Sequence, residues 1–202
     1  VTRRRTRRQP LLAAVSAASM QASAATGTID FNGEVTAQTC HASVNGGTPS
    51  ATGANATIRL PSVGAALLAN SGDTAGTSRF IIRVSADSTG TTPCAATVSG
   101  STADDVYAFI EAGPENNLLG RLVNSAGAGG ATNVDLRLLN SAGDPIIAGG
   151  TGPSPWLAQN STVASMADAL NTGLVHYVQY YATGAATAGT VVGKAIFSLA
   201  YK

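Results

Sequence analysis

The sequence predicts an all-β sandwich of short antiparallel strands, and three observations carry that expectation. Apolar and polar residues alternate with period two in one segment after another; clusters of Gly, Ser, Asn and Pro separate those segments; helical periodicity is thin. In chain order the alternating segments are 29–32, 35–40, 56–60, 79–85, 95–98, 106–111, 133–139, 174–181 and 191–201. Gly-rich stretches at 126–130 and 148–152 read as turns. Helix signals are confined to 63–69, shortly after Pro61, and 163–170, each worth a turn or two. No internal repeat and no long linker divides the chain.

The final segment shows the pattern well. Val191, Gly193, Ala195, Phe197, Leu199 and Tyr201 share one face; Val192, Lys194, Ile196, Ser198, Ala200 and Lys202 share the other. The first face is the more apolar and carries both aromatics, as in a half-buried strand. A strand that ends in apolar residues is an aggregation hazard unless something covers it.

Composition removes several classes of function. Of 202 residues, 44% are apolar and only 11% charged, so the chain has the material for a core and lacks the signature of a disordered segment. Aromatic residues make up 5%, too few for a base-stacking surface. No apolar run is long enough to cross a bilayer as a helix.

The formal net charge of +1 hides an uneven distribution. Arg3, Arg4, Arg5, Arg7 and Arg8 precede the apolar run 11–18 and then Ala22-Ser23-Ala24. Basic start, short apolar run and small-x-small site are the parts of a secretory signal peptide, expected at 1–24 with cleavage after Ala24, alternatively after Ala18. Arg7-Arg8 also suits a twin-arginine signal, but Pro10 sits where a large apolar residue is usual. A basic arm for nucleic acid or membrane is the competing reading, disfavoured because no acidic or aromatic pattern continues it. Beyond residue 24, seven basic residues face 11 acidic ones, a net charge of −4, which does not suit a nucleic-acid partner.

Residues that carry chemistry are few. Cys40 and Cys94 are an even count in an exported chain and are expected as a disulfide, closing a loop that restricts the unfolded chain by roughly 4 kcal/mol in the entropy model. With His41 and His176 they match no metal-ligand spacing, so no metal and no cofactor is expected. His41 beside Cys40 could activate a thiol, but the second Cys favours the disulfide. His176 falls on the same strand face as Leu174, Val178 and Tyr180 and reads as a core or groove-lining histidine. Asp104 and Asp105 point to opposite faces if they lie in a strand, so they do not make a catalytic pair. Asn55 and Asn160 head glycosylation sequons that arise often by chance. Trp156, between Pro153 and Pro155, is a loop anchor or part of a subunit contact. No catalytic residue is expected, and the chain reads as a non-enzyme.

Six stretches in order, GTIDFNGEVTAQTC from Gly27, TIRLPSV from Thr57, RFIIRVS from Arg79, ATNVDLRLLN from Ala131, YYATGAATAG from Tyr180 and the ending FSLAYK, resemble the major pilin subunits of type 1-like fimbriae, built by the chaperone–usher route. Each stretch alone is weak; together they cover nearly all of the chain after residue 24. The resemblance implies an incomplete immunoglobulin-like β-sandwich completed by donor-strand exchange, with an N-terminal donor-strand extension at 25–35 and a pilin domain at 36–202. It implies that Ala25, Gly27, Ile29, Phe31, Gly33 and Val35 form the donor strand, with Ile29 and Phe31 filling pockets and Gly27 allowing close backbone approach. It implies chaperone recognition through Gly189, Phe197, Leu199, Tyr201 and Lys202.

The implied function is a structural subunit of a surface fimbria that supports cell adhesion. Its implied partners are identical or related pilin subunits, a periplasmic chaperone and an outer-membrane usher, with export through the periplasm to the cell surface and no nucleic acid. A minor adaptor pilin shares the fold and both termini and is the alternative. A carbohydrate-binding adhesin would need a separate binding domain, for which 178 residues leave no room. The chain departs from the family pattern at Cys94, where residues 86–93 intervene after the 79–85 strand.

Overall fold

The computed structural model describes residues 40–52, 54–98, 101–112, 119–150 and 154–202, all within the unit Glu34–Lys202. The export signal at 1–24, the extension at 25–35, the strand expected at 29–32 and all but Cys40 of the strand expected at 35–40 lie outside the described residues.

Among the described residues, ten strands and three short helices follow in chain order. β1 is His41–Val44, and a 3-10 helix spans Ala65–Leu68 before the long β2, Thr74–Ser85. β3 (Thr97–Val98), β4 (Ser101–Thr102), β5 (Asp105–Ile110), β6 (Leu122–Val123) and β7 (Val134–Leu139) come next. Helix α1 (Pro155–Gln159), β8 (Val163–Ser165), helix α2 (Met166–Asn171), β9 (Leu174–Ala182) and β10 (Phe197–Tyr201) complete the described chain.

The strands form two facing antiparallel sheets and a small ribbon. One sheet has five strands in the order β1-β2-β9-β7-β6, the other three in the order β10-β5-β8, and β3 pairs only with β4. Register places alternate residues on the inner face: Ala42 opposite Val84, Ile82 opposite Leu174, Leu138 opposite Val178 and Leu122 opposite Leu136. From the other sheet Val106, Ala108 and Ile110 turn inward. Ile82 and Val84 then share a cluster with Val106 and Ala108, which makes the assembly an immunoglobulin-like β-sandwich. The Cys40–Cys94 disulfide, with Cα atoms 5.8 Å apart, ties the start of β1 to the segment before β3 within this cluster.

Local sequence explains the breaks. β2 bulges against β9 between Ala75 and Ser78. Gly76 there has φ +63°, and a Cβ would come within 2.8 Å of the Tyr180 ring, so glycine suits both the left-handed backbone and the close approach. Helix α1 has Pro155 in its first turn and ends on Asn160 in the left-handed conformation. Helix α2 is capped by Ser165, whose Oγ accepts from the Asp168 N–H and donates to the Asp168 carboxylate.

Four expectations need correction. No strand forms at 56–60, although the alternation there is real: Ile58 and Leu60 are half-buried while Thr57, Arg59 and Pro61 are exposed. The last strand is shorter than 191–201, because Val192 N–H donates to the Asn124 side chain and Val192 C=O accepts from Ser125 N–H, on the opposite sheet's side. Residues 163–165, expected as helix, are strand β8 paired with β5, and the helix starts only at Met166. Helix α1 was not expected; it turns Trp156 edge-on to Tyr107, ring centroids 5.9 Å apart, the anchoring role.

α1 also delivers Gln159, fully buried, to the end of β5. Its Oε1 accepts from Ile110 N–H at 2.7 Å and its Nε2 donates to Ile110 C=O at 2.6 Å, so one side chain does what a neighbouring strand would do. Replacing Gln159 by Leu leaves Ile110 N–H without its acceptor, while Ile110 C=O keeps the bond from Gly149 N–H, and denaturant unfolding should show a loss of about 1–3 kcal/mol. A loss below about 0.5 kcal/mol would sink this account.

Candidate functional site: an open strand edge

β10 pairs with β5 on one side, from Phe197 opposite Ile110 to Tyr201 opposite Val106. On its other side no strand pairs with it among the described residues. No β10 residue is buried: Phe197, Leu199, Ala200 and Tyr201 are partly exposed and Ser198 is exposed. Phe197, Leu199 and Tyr201 nevertheless pack against the first buried cluster, so their common face is as the alternation predicts.

The core below this edge is divided. One buried cluster gathers around Ile82, Val84 and Val106, a second around Leu136, Leu138 and Val178, and a third around Leu68, Val134 and Ala182. Half-exposed residues join them: Phe80 and Phe197 touch the first two, Tyr180 and Val191 the last two. Ala54, then Ile58 and Leu60, then Val63 follow the same order of clusters, while Tyr201, Leu199, Phe197 and Val191 follow it in reverse chain direction. An apolar strip therefore runs along the sandwich, lined by 54–63 and 191–201, with Phe80 in it.

Tyr201 crosses to the other sheet. Burial pushes its phenol above the ordinary range, and a hydrogen bond with the Cys40 backbone opposes that shift. Lys202 pairs with Asp105 through backbone bonds in both directions and a 3.4 Å ion pair, and its ammonium lies 5.4 Å from the Trp156 ring. The structure thus brings Phe197, Leu199, Tyr201 and Lys202 together on one strand end. Gly189 lies apart from them: it is exposed, and a Cβ there would collide with the Gly130–Ala131 backbone, so its own domain already requires a glycine. Ala25, Gly27, Ile29, Phe31, Gly33 and Val35 lie outside the described residues. Ile58, Leu60, Val63, Phe80 and Val191 were not singled out by sequence reasoning as site residues; the 57–61 alternation was the available signal.

Behind Phe80 lies His176, fully buried and stacked on it with centroids 5.3 Å apart. Nδ1 donates to Leu174 C=O at 2.9 Å, while Nε2 has no partner among the described residues. Burial, opposed by the Leu174 bond, holds its pKa down at about 4. No cluster of His, Cys, Asp and Glu that could hold a metal occurs among the described residues.

A sequence profile of fimbrial proteins matches residues 29–202. The chain belongs to the fimbrial protein family. Among relatives, the major fimbrial subunit SMF-1 of Stenotrophomonas maltophilia (strain K279a) is 37% identical, over 93% of this chain and 99% of its own. The F17 fimbrial protein of Escherichia coli is 35% identical, over 96% of this chain and 98% of its own. The solved P pilus rod subunit PapA is similar with a TM-score of 0.47 at 18% identity, covering 87% of this chain and 100% of that one. This fimbrial subunit has Cys40 and Cys94 joined despite the intervening 86–93 stretch, which folds as a turn in which Asp87 accepts from the Thr89 and Gly90 N–H groups.

His176 gives the subunit a defined acid sensitivity. Its folded pKa lies below the unfolded value of 6.5, so the unfolded chain binds the proton more tightly. The stabilisation is complete above about pH 6.5 and is lost as pH falls towards 4, by about 3 kcal/mol in all. Unfolding free energies measured across that window should show this slope, and His176→Phe should remove it; an unchanged slope in the variant would refute the assignment.

Proposed function

We propose that this fimbrial subunit polymerises non-covalently by strand addition, with residues 25–35 of one copy entering the apolar strip of the next. One observation carries the reading: among the described residues β10 has an open edge, directly above a core divided into three clusters that only half-exposed residues connect. An extended segment laid along β10 would take up its free backbone groups, and alternate side chains would close the gaps between clusters. Ile29 and Phe31 have the spacing of two such side chains, each contributing roughly 1.5–3 kcal/mol on burial before ordering costs. The family match starting at Ile29 supports counting this segment with the pilin and residues 1–24 as a removable export signal.

The same edge needs cover before assembly. A periplasmic chaperone that pairs with β10 and fills the strip through Phe197, Leu199 and Tyr201 would supply it, followed by transfer at an outer-membrane usher and display on the cell surface. Because a better-fitting strand replaces a weaker one, such assembly runs without nucleotide hydrolysis.

Cells whose sole copy of the subunit lacks residues 25–31 should show no fibres of this subunit by electron microscopy; fibres of normal number and length would overturn the donor assignment. A peptide of residues 25–35 should raise the melting temperature of the truncated subunit, and a peptide with Ile29→Asp and Phe31→Asp should not. Changing Phe197 and Tyr201 to Asp should abolish the chaperone complex in periplasmic extracts, whereas an undiminished complex would count against the β10 assignment.

A further inference from the structure

On the outer face of the five-stranded sheet, the end of β2 enters a concavity of about 420 Å3 that strand addition leaves unused. Its size lies within the roughly 300–1,000 Å3 typical of ligand pockets, but its walls are far more polar than usual. Arg83 stands opposite Ser43 in the β1–β2 ladder, both turned away from the core that Ile82 and Val84 enter. The turns at 46–49 and 88–90 and the side of Leu170 border the space, which is open to solvent.

The polar groups divide into those already engaged and those without a hydrogen-bond partner among the described residues, of which Ser43 is buried as a residue. Ser85 Oγ donates to Asp87 C=O and Thr89 Oγ1 donates to the Asp87 carboxylate, so these hydroxyls build the turn. Asp87 is held below the ordinary carboxylate range first by the Thr89 hydroxyl and then by the Thr89 and Gly90 N–H groups, and so serves its own loop. The hydroxyls of Ser43, Thr48 and Ser88 make no hydrogen bond among the described residues. Nor does Arg83, half-buried as a residue, have a carboxylate within 4.0 Å of its guanidinium there. An unpaired Arg fork in a hydroxyl-lined hollow is a combination with a definite complement. The fork matches a planar carboxylate through two parallel bonds. Three hydroxyls that both donate and accept match the hydroxyls of a sugar ring. Pro49 and Leu170 offer aliphatic surface for the ring's C–H groups.

We propose that this concavity binds an acidic saccharide, a sugar ring bearing a carboxylate, with Arg83 on the carboxylate and Ser43, Thr48 and Ser88 on the ring hydroxyls. A polymer of such subunits would then carry one saccharide site per copy along its length. The site is on the opposite face of β2 from Phe80 and the strip, so it stands or falls separately from strand addition.

Isothermal titration of the folded full chain with methyl β-D-glucuronide tests it. Saturable binding is expected, with methyl β-D-glucoside and sodium acetate each at least tenfold weaker. Arg83→Gln should weaken glucuronide binding at least tenfold with an unchanged circular-dichroism spectrum, Ser43→Ala with Ser88→Ala should weaken it severalfold, and Arg79→Gln, on the same strand face outside the concavity, should bind as the parent does. Absence of saturable binding, equal binding of acetate or of the glucoside, or full binding by Arg83→Gln would each overturn the proposal. Should Arg83→Gln fail to fold, Arg83→Lys keeps the charge without the fork and is held to the same tenfold criterion.

Discussion

The two layers of this domain are unequal in width, and that inequality governs the rest of the structure. With neighbouring strands about 4.8 Å apart, five strands span roughly 19 Å between outer axes and three span roughly 10 Å. The inner face of β1-β2-β9-β7-β6 therefore exceeds what β10-β5-β8 covers by about two strand widths. Burial follows this geometry along the inner face of β2, where Ile82 and Val84 are buried beneath the second sheet and Phe80 and Ser78 remain part-exposed beyond it. The division of the core into three clusters is the same deficit seen from inside.

The chain compensates locally where it has the means. Residues 190–192 leave the path of β10 and bond the 124–131 loop of the larger sheet, with Ala131 N–H donating to Thr190 C=O at 2.8 Å. Residues 196–201 return to β5, where Glu111 N–H donates to Ile196 C=O. One segment thus spans both layers. Gln159 substitutes for a strand at Ile110, Tyr201 reaches the Cys40 backbone, and the disulfide holds the same corner. Each device secures an end of the sandwich. The middle, around Phe80, Phe197, Ile58 and Leu60, has no such device within the described residues, which makes it the place where a strand from outside gains most.

What the sequence discloses and what it withholds divide along the same line. Period-two alternation reports which side of an extended segment meets the core, so the faces of 191–201 and the limits of β5, β7 and β9 were legible to within two residues. Alternation says nothing about hydrogen-bond partners. Residues 56–60 alternate without a ladder, and 191–196 alternate while pairing elsewhere, so both were read as strands. Elements of two or three residues, β4, β6 and β8, are too short to show a period at all. Ser165 and Asp168 did carry a capping signal three residues apart that would have set the start of α2 correctly. No pattern foretold the buried Gln159, whose role exists only once α1 has docked on β5. Of the candidate site, Phe197, Leu199 and Tyr201 were readable because they share a face and a strand; the opposite wall was not, because its residues belong to a segment that has no partner strand.

Net charge was the least informative number in the sequence, and the sheet register explains why. Arg79, Arg83, Arg121 and Arg137, four of the seven basic residues beyond residue 24, all fall on the outer side of the larger sheet. There Tyr181 is flanked by the Arg121 and Arg137 guanidinium groups at 4.3 and 4.9 Å, and Arg121 also pairs with Asp135 at 3.1 Å. Asp104, Asp105 and Asp168 lie instead around β5 and α2, at the smaller sheet. A domain with a mildly acidic sum is thus basic on one broad face and acidic at the other layer. Its sparse charges are displaced from the apolar strip to the outer surfaces, where desolvation costs least. The strip is thereby left to alternating apolar side chains such as Ile58, Leu60, Phe197 and Leu199, and the charges to the faces that remain in water.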